Sequence, residues 1–134
     1  MTKLVEIEGI GETYAQKLSA AGITTAEMLL EKCGTAKGRE EYAEKTGISA
    51  KLLLEWVNHV DLFRIKGVGS EYADLLEEAG VDSVPELAHR VPENLLKKMT
   101  EVNEAKKLVR KLPVLSQVTE WVEQAKTLPK VVFH

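Results

Sequence analysis

The stretch Ile7-Glu8-Gly9-Ile10-Gly11-Glu12-Thr13-Tyr14-Ala15-Gln16-Lys17-Leu18-Ser19-Ala20-Ala21-Gly22-Ile23 returns as Ile65-Lys66-Gly67-Val68-Gly69-Ser70-Glu71-Tyr72-Ala73-Asp74-Leu75-Leu76-Glu77-Glu78-Ala79-Gly80-Val81, each position displaced by 58 with no gap. Between residues 5–29 and 63–87 nine of 25 positions are identical, and the identities fall on glycines and on one helical face. Each copy reads as an apolar residue, a Gly-x-Gly turn that opens a helix, an apolar stripe, and a glycine that closes it. The stripe is Tyr14, Leu18 and Ala21 in one copy and Tyr72, Leu76 and Ala79 in the other, at helical spacing. A duplicated pair of helices joined by a tight turn is expected.

At 134 residues the chain can bury roughly two-thirds of its unfolded surface, enough for one compact domain or two small ones. With 44% hydrophobic and 29% charged residues it belongs with globular rather than disordered chains. Two Phe, three Tyr and two Trp leave the core to aliphatic residues and alanine, which suits short, closely packed helices. The net charge of −3 gives no general attraction to nucleic acid or anionic lipid, so a polyanion would need a local basic patch. Cys33 is the single cysteine, which excludes an intramolecular disulfide framework and fits a reducing compartment. Without an apolar run of 18 residues or a signal-peptide pattern, a soluble cytoplasmic protein is expected, with no membrane partner.

Capping-box spacing at Thr24/Glu27 and Ser83/Glu86 predicts a second helix in each copy. Lys37-Gly38-Arg39 precedes a third helix to about Lys45. Thr46-Gly47-Ile48-Ser49 then makes a tight turn, with Ser49 as N-cap of a helix to about Val60 that buries Leu52, Leu53, Trp56, Val57 and Val60. In the second half a short helix begins at Glu93 after Pro92, another covers 101–112, and Pro113 separates it from a last helix over about 115–128. Val131-Val132-Phe133 is too short to be read as a strand. The result is an all-α chain of two units, 1–60 and 61–134, of about five short helices each, with no linker to keep them from packing together.

The first half resembles the helix-hairpin-helix class of SAM-like domains, and in particular the N-terminal domain of RadA/Rad51-type recombinases. The residues that carry this are Ile7-x-Gly9-Ile10-Gly11, Tyr14-Ala15-x-x-Leu18, Ala21-Gly22-Ile23 and Ala43-Glu44-Lys45-Thr46-Gly47-Ile48-Ser49. Over nearly the full length the chain also resembles a bacterial family, domain of unknown function 4332, that duplicates this hairpin. The matching segments are Lys37-Gly38-Arg39, Trp56-Val57-Asn58, Asp61-Leu62-x-Arg64-Ile65-x-Gly67-Val68-Gly69, Tyr72-Ala73-x-Leu75-Leu76 and Leu108-Val109-Arg110-x-Leu112-Pro113. These resemblances imply tandem helix-hairpin-helix units but no activity, since function lives in sites and not in folds.

Two readings of the Gly-x-Gly turns stand side by side. Gly9 and Gly11, or Gly67 and Gly69, can let backbone approach a phosphate, with amides at the next helix start aimed at its oxygens. Equally, they can do no more than permit a tight turn between packed helices. Charge disfavours phosphate at both: Glu6, Glu8 and Glu12 oppose Lys17 at the first turn, and Glu71, Asp74, Glu77, Glu78 and Asp82 oppose Arg64 and Lys66 at the second. Arg64 and Lys66 flank the second turn and make it the better candidate. A basic patch at Lys97, Lys98, Lys106, Lys107, Arg110 and Lys111, against Glu101 and Glu104, is read as a cationic helix side or as an ordinary solvated face. Trp56, Trp121, Tyr14 and Tyr72 are read as packing residues.

No catalytic constellation stands out. His59, His89 and His134 lack metal-ligand spacing, Cys33 lacks a nucleophile's context, and Gly9-x-Gly11 has neither the third glycine of a dinucleotide fingerprint nor a following Gly-Lys-Thr/Ser. A non-catalytic binding module with no cofactor, no metal and no small-molecule substrate is expected. Its partner is duplex DNA, contacted without sequence preference, or alternatively an unidentified protein.

Overall fold

The computed structural model describes residues 2–134, which form eight α-helices and a short 3-10 helix at Leu4–Glu6, with no strand among them. The chain divides into two compact units, Met1–Asp61 with Val131–His134, and Leu62–Lys130. The all-α class expected from the sequence is observed.

The first unit holds α1 (Glu12–Ala20), α2 (Ala26–Cys33), α3 (Ala36–Thr46) and most of α4 (Ala50–Leu62). Gly9 takes φ +91, a conformation L-residues rarely adopt, and Gly11 is the N-cap of α1. Leu18 on α1, Leu29 on α2 and Leu53, Trp56 and Val57 on α4 are buried, while Ala15 is only half-buried. The cap of α2 is Thr25, whose hydroxyl accepts from the Met28 amide at 3.2 Å, and not Thr24. Glu27 instead accepts from the Thr2 amide at 2.9 Å, so the expected Thr24/Glu27 box does not form. The third helix starts at Ala36, one turn earlier than its glycine suggested, because the Thr35 hydroxyl accepts from the Gly38 amide at 3.0 Å.

Arg39 is 4% exposed and has no carboxylate partner among the described residues. Its Nη1 donates to the carbonyls of Cys33 and Gly34, each at 3.0 Å, which are orphan acceptors at the end of α2. Its Nη2 donates to the Phe133 carbonyl, and the Phe133 amide donates to the Gly34 carbonyl at 2.7 Å. The last residues thus form an extended strap over the α2–α3 junction, with Val132 buried beneath it. Burial lowers the Arg39 pKa and pushes the Cys33 thiol from 9.0 up to about 11, with Arg39 pulling that thiol the other way.

The second unit holds α5 (Ser70–Glu78), α6 (Val84–Ala88), α7 (Pro92–Lys106) and α8 (Leu115–Thr127). The Ser83 hydroxyl accepts from the Glu86 amide, as its spacing predicts. Leu62, Ile65, Ala73, Leu76, Leu87, Leu95, Met99, Val118 and Trp121 share one hydrophobic core. Trp121 packs beside the Tyr72 ring, centroids 5.2 Å apart, and a Cβ at Gly67 would lie 3.0 Å from its Nε1. Position 67, at φ +95, therefore excludes a side chain both by torsion and by space.

A correction concerns the stretch after Pro92. The helix expected at Glu93 and the one expected over 101–112 are a single helix that ends at Lys106, where Lys107 turns left-handed at φ 52, ψ 49. Residues 107–114 are not helical. The Asn103 side chain caps the turn, its Nδ2 donating to the Val109 carbonyl at 3.2 Å and its Oδ1 accepting from the Val109 amide at 3.0 Å. Pro113, with no amide proton, could not continue a helix there. The cationic helix side expected to include Lys107, Arg110 and Lys111 therefore does not form, because the helix ends at Lys106.

Leu76 is fully buried, so Leu76→Ala should lower stability by about 2–5 kcal/mol in urea melts. Gly67→Ala should cost more than Gly69→Ala, because Gly69 sits at φ −99 with nothing within 4 Å of a Cβ. A left-handed alanine costs roughly 1–2 kcal/mol before any displacement of Trp121, and the same melts compare the two. Native Cys33 should resist a thiol reagent at pH 8 and react in full once urea unfolds the chain. Its folded pKa is raised, so the stability it contributes is intact below pH 9 and is lost as pH rises toward 11. Thermal unfolding across that window should fall less steeply in Cys33→Ala.

Candidate functional site

Helix α5 begins without a side-chain cap. Its N-cap is Gly69, at φ −99 and ψ −168, a residue with no side chain to cap the first turn. The first-turn amides of a helix lie at the positive end of its dipole. The turn before them is held rigidly. The Val68 amide donates to the Ile65 carbonyl at 3.1 Å, while Gln124 of α8 takes both backbone groups of Lys66, its Oε1 accepting at 2.8 Å and its Nε2 donating at 3.2 Å.

The facing wall comes from the segment that leaves α7. Once Lys107 breaks the helix, the chain carries Arg110 and Lys111 to the mouth of the turn. The Tyr72 hydroxyl donates to the Lys111 carbonyl at 2.9 Å. A cleft of about 440 Å³ results, lined by Gly67, Gly69, Ser70, Glu71, Tyr72, Arg110 and Lys111. Arg110 and Lys111 are exposed, and neither is ion-paired among the described residues. Two cations thus face one carboxylate, Glu71, beside the first turn of α5.

Of the residues singled out in the sequence, Gly67, Gly69, Arg110 and Lys111 meet in this cleft. Lys66 is exposed next to it and does not line it. Lys106 is drawn into an ion pair with Glu78, and Lys107 serves as the left-handed cap of α7. Arg64 is half-buried. Gly9 and Gly11 lie in the first unit, where a Cβ at Gly9 would be 3.3 Å from Trp56 Nε1. The residues missed were Ser70, Glu71 and Tyr72. Position 72 carried the one usable signal, a hydroxyl on an otherwise buried ring.

The lining holds no histidine or cysteine. No group of three or more His, Cys, Asp or Glu side chains that could hold a metal occurs among the described residues. None of the described helices is long and apolar enough to cross a membrane.

No curated protein and no solved structure matches the chain. A family model described as Domain of unknown function (DUF4332) matches residues 8–128, a span that takes in both glycine turns and both faces of the cleft, and the protein belongs to that family.

Proposed function

We propose that the protein is a non-catalytic module of two tandem helix-hairpin-helix units that binds nucleic-acid backbone without sequence preference, chiefly through the second turn. The tandem reading is supported by torsions that agree at the 58-residue offset: Gly9 at +91° and Gly67 at +95°, Gly22 at +93° and Gly80 at +98°. Helices α1 and α5 are nine residues each and start from glycine N-caps of like conformation. Tyr14 and Trp56 pair with ring centroids 5.1 Å apart, as Tyr72 and Trp121 do at 5.2 Å.

The observation that carries the binding reading is the meeting of the Gly67–Gly69 turn with Arg110 and Lys111 in one cleft. The amides orient one phosphate, and the two cations supply attraction by counterion release. With so few cations on a chain of net charge −3, affinity should be no better than the roughly 10⁻⁴ to 10⁻⁶ M of generic nonspecific complexes. Protein interaction is the second reading. It is favoured by Glu71 in the cleft and by Val114 and Leu115, 54% and 41% exposed, a few residues past Arg110.

Titration of random-sequence duplex DNA at low salt separates the two. Wild type should bind, and Arg110→Glu with Lys111→Glu should abolish most of the binding and reduce the log–log salt slope by about 2. Lys97→Glu with Lys98→Glu makes the same charge change outside the cleft and should lose less. Equal losses, or no binding by wild type, would transfer the assignment to a protein partner.

A further inference from the structure

Between Val109, clamped by Asn103, and Val114, whose amide donates to Gln117 Oε1 at 2.9 Å, the chain runs without helix or strand. Among the described residues, the bond from the Tyr72 hydroxyl is the only hydrogen bond to the backbone of residues 110–113. The Arg110 and Lys111 side chains spring from the peptide units next to the carbonyl it grips. The ring that carries this hydroxyl is itself fixed against Trp121, which packs on Gly67. One side chain therefore connects both walls of the cleft.

The first unit supplies the contrast. Tyr14 is placed on Trp56 as Tyr72 is on Trp121, yet its hydroxyl makes no hydrogen bond among the described residues, and Lys17 lies over its ring at 5.8 Å. The segment before α4 is instead self-capped: the Thr46 hydroxyl donates to the Tyr42 carbonyl at 2.6 Å and accepts from the Ile48 amide at 3.1 Å. Lys45, just before it, is paired with Glu41 at 3.2 Å. A hydroxyl that duplication places in both units is used in one, the unit whose neighbouring cations are unpaired.

We propose that Tyr72 is the positioning residue of the cleft. By holding the Lys111 carbonyl it keeps Arg110 and Lys111 over the Gly67–Gly69 turn and makes the second unit the one that grips phosphate. This rests on the nucleic-acid reading above. Loss of the hydroxyl frees the cationic segment without removing a charge, so affinity falls while the number of displaced counterions does not.

The full chain carrying Tyr72→Phe tests it, because phenylalanine retains the ring on Trp121. For random duplex DNA at low salt the Kd should rise by about 2- to 10-fold, the effect of one net hydrogen bond, with the salt slope unchanged. Without DNA present, the NMR order parameters of the Arg110, Lys111 and Leu112 amides should fall. Tyr14→Phe should leave Kd at the wild-type value. A Tyr72→Phe protein with lowered order parameters but wild-type Kd would make the bond merely structural and overturn the proposal, as would unchanged order parameters or a lost helical signal. Failure of wild type to bind appears before any variant is compared, and it would remove the nucleic-acid reading itself.

Discussion

Trp121 is 2% exposed, and its indole lies so close to Gly67 that a Cβ there would meet Nε1 at 3.0 Å. Trp56 bears on Gly9 in the same way, where a Cβ would lie 3.3 Å from Nε1. A left-handed glycine gives the backbone a flat approach, and the indole covers the space that a side chain would have filled. Each contact thereby ties a turn near the start of its unit to a helix near the end. Burying an indole also removes a large apolar area from water, and the tyrosine beside it adds about 0.5–1.5 kcal/mol of ring–ring interaction. Where α1 and α5 begin depends on these turns.

The cleft inherits its rigidity from the same place. Trp121 and Gln124 are three residues apart on α8, hence on one side of it, so the helix that packs on Gly67 also holds both backbone groups of Lys66. A turn fixed on two sides keeps one backbone conformation, and the anion site proposed above would draw on it without the entropic cost of rearrangement. The cationic wall is built differently, from irregular chain anchored at a few side-chain bonds. Preorganised donors thus face a more adaptable set of charges.

How much could be read from the sequence follows from the range of each interaction. The glycine turns, the Ser83 and Ser49 caps and the apolar faces of α4 and α5 are local signals, and they stood where their spacing put them, except that Leu52 is only half-buried. The end of α7 was not legible, because Leu108 and Leu112 continue a helical period past Lys107, a residue type with no special liking for left-handed torsions. Its conformation is settled by Asn103 and Tyr72, and Tyr72 is distant in sequence. Arg39 was hidden for the same reason: it reads as surface charge until the carbonyls of Cys33, Gly34 and Phe133 are brought around it. The cleft was legible only in halves, as glycines in one segment and cations in another.

The strap over Arg39 makes the first unit discontinuous along the chain. A fragment of residues 1–61 would retain the guanidinium but lose its Phe133 acceptor, the Phe133 amide's bond to Gly34 and the burial of Val132. Loss of those two hydrogen bonds would cost about 1–3 kcal/mol together, a large share of a small fold's stability. Dissection of this protein into halves is therefore a problem of complementation: the first half needs a short peptide with the sequence of residues 131–134 returned to it in trans.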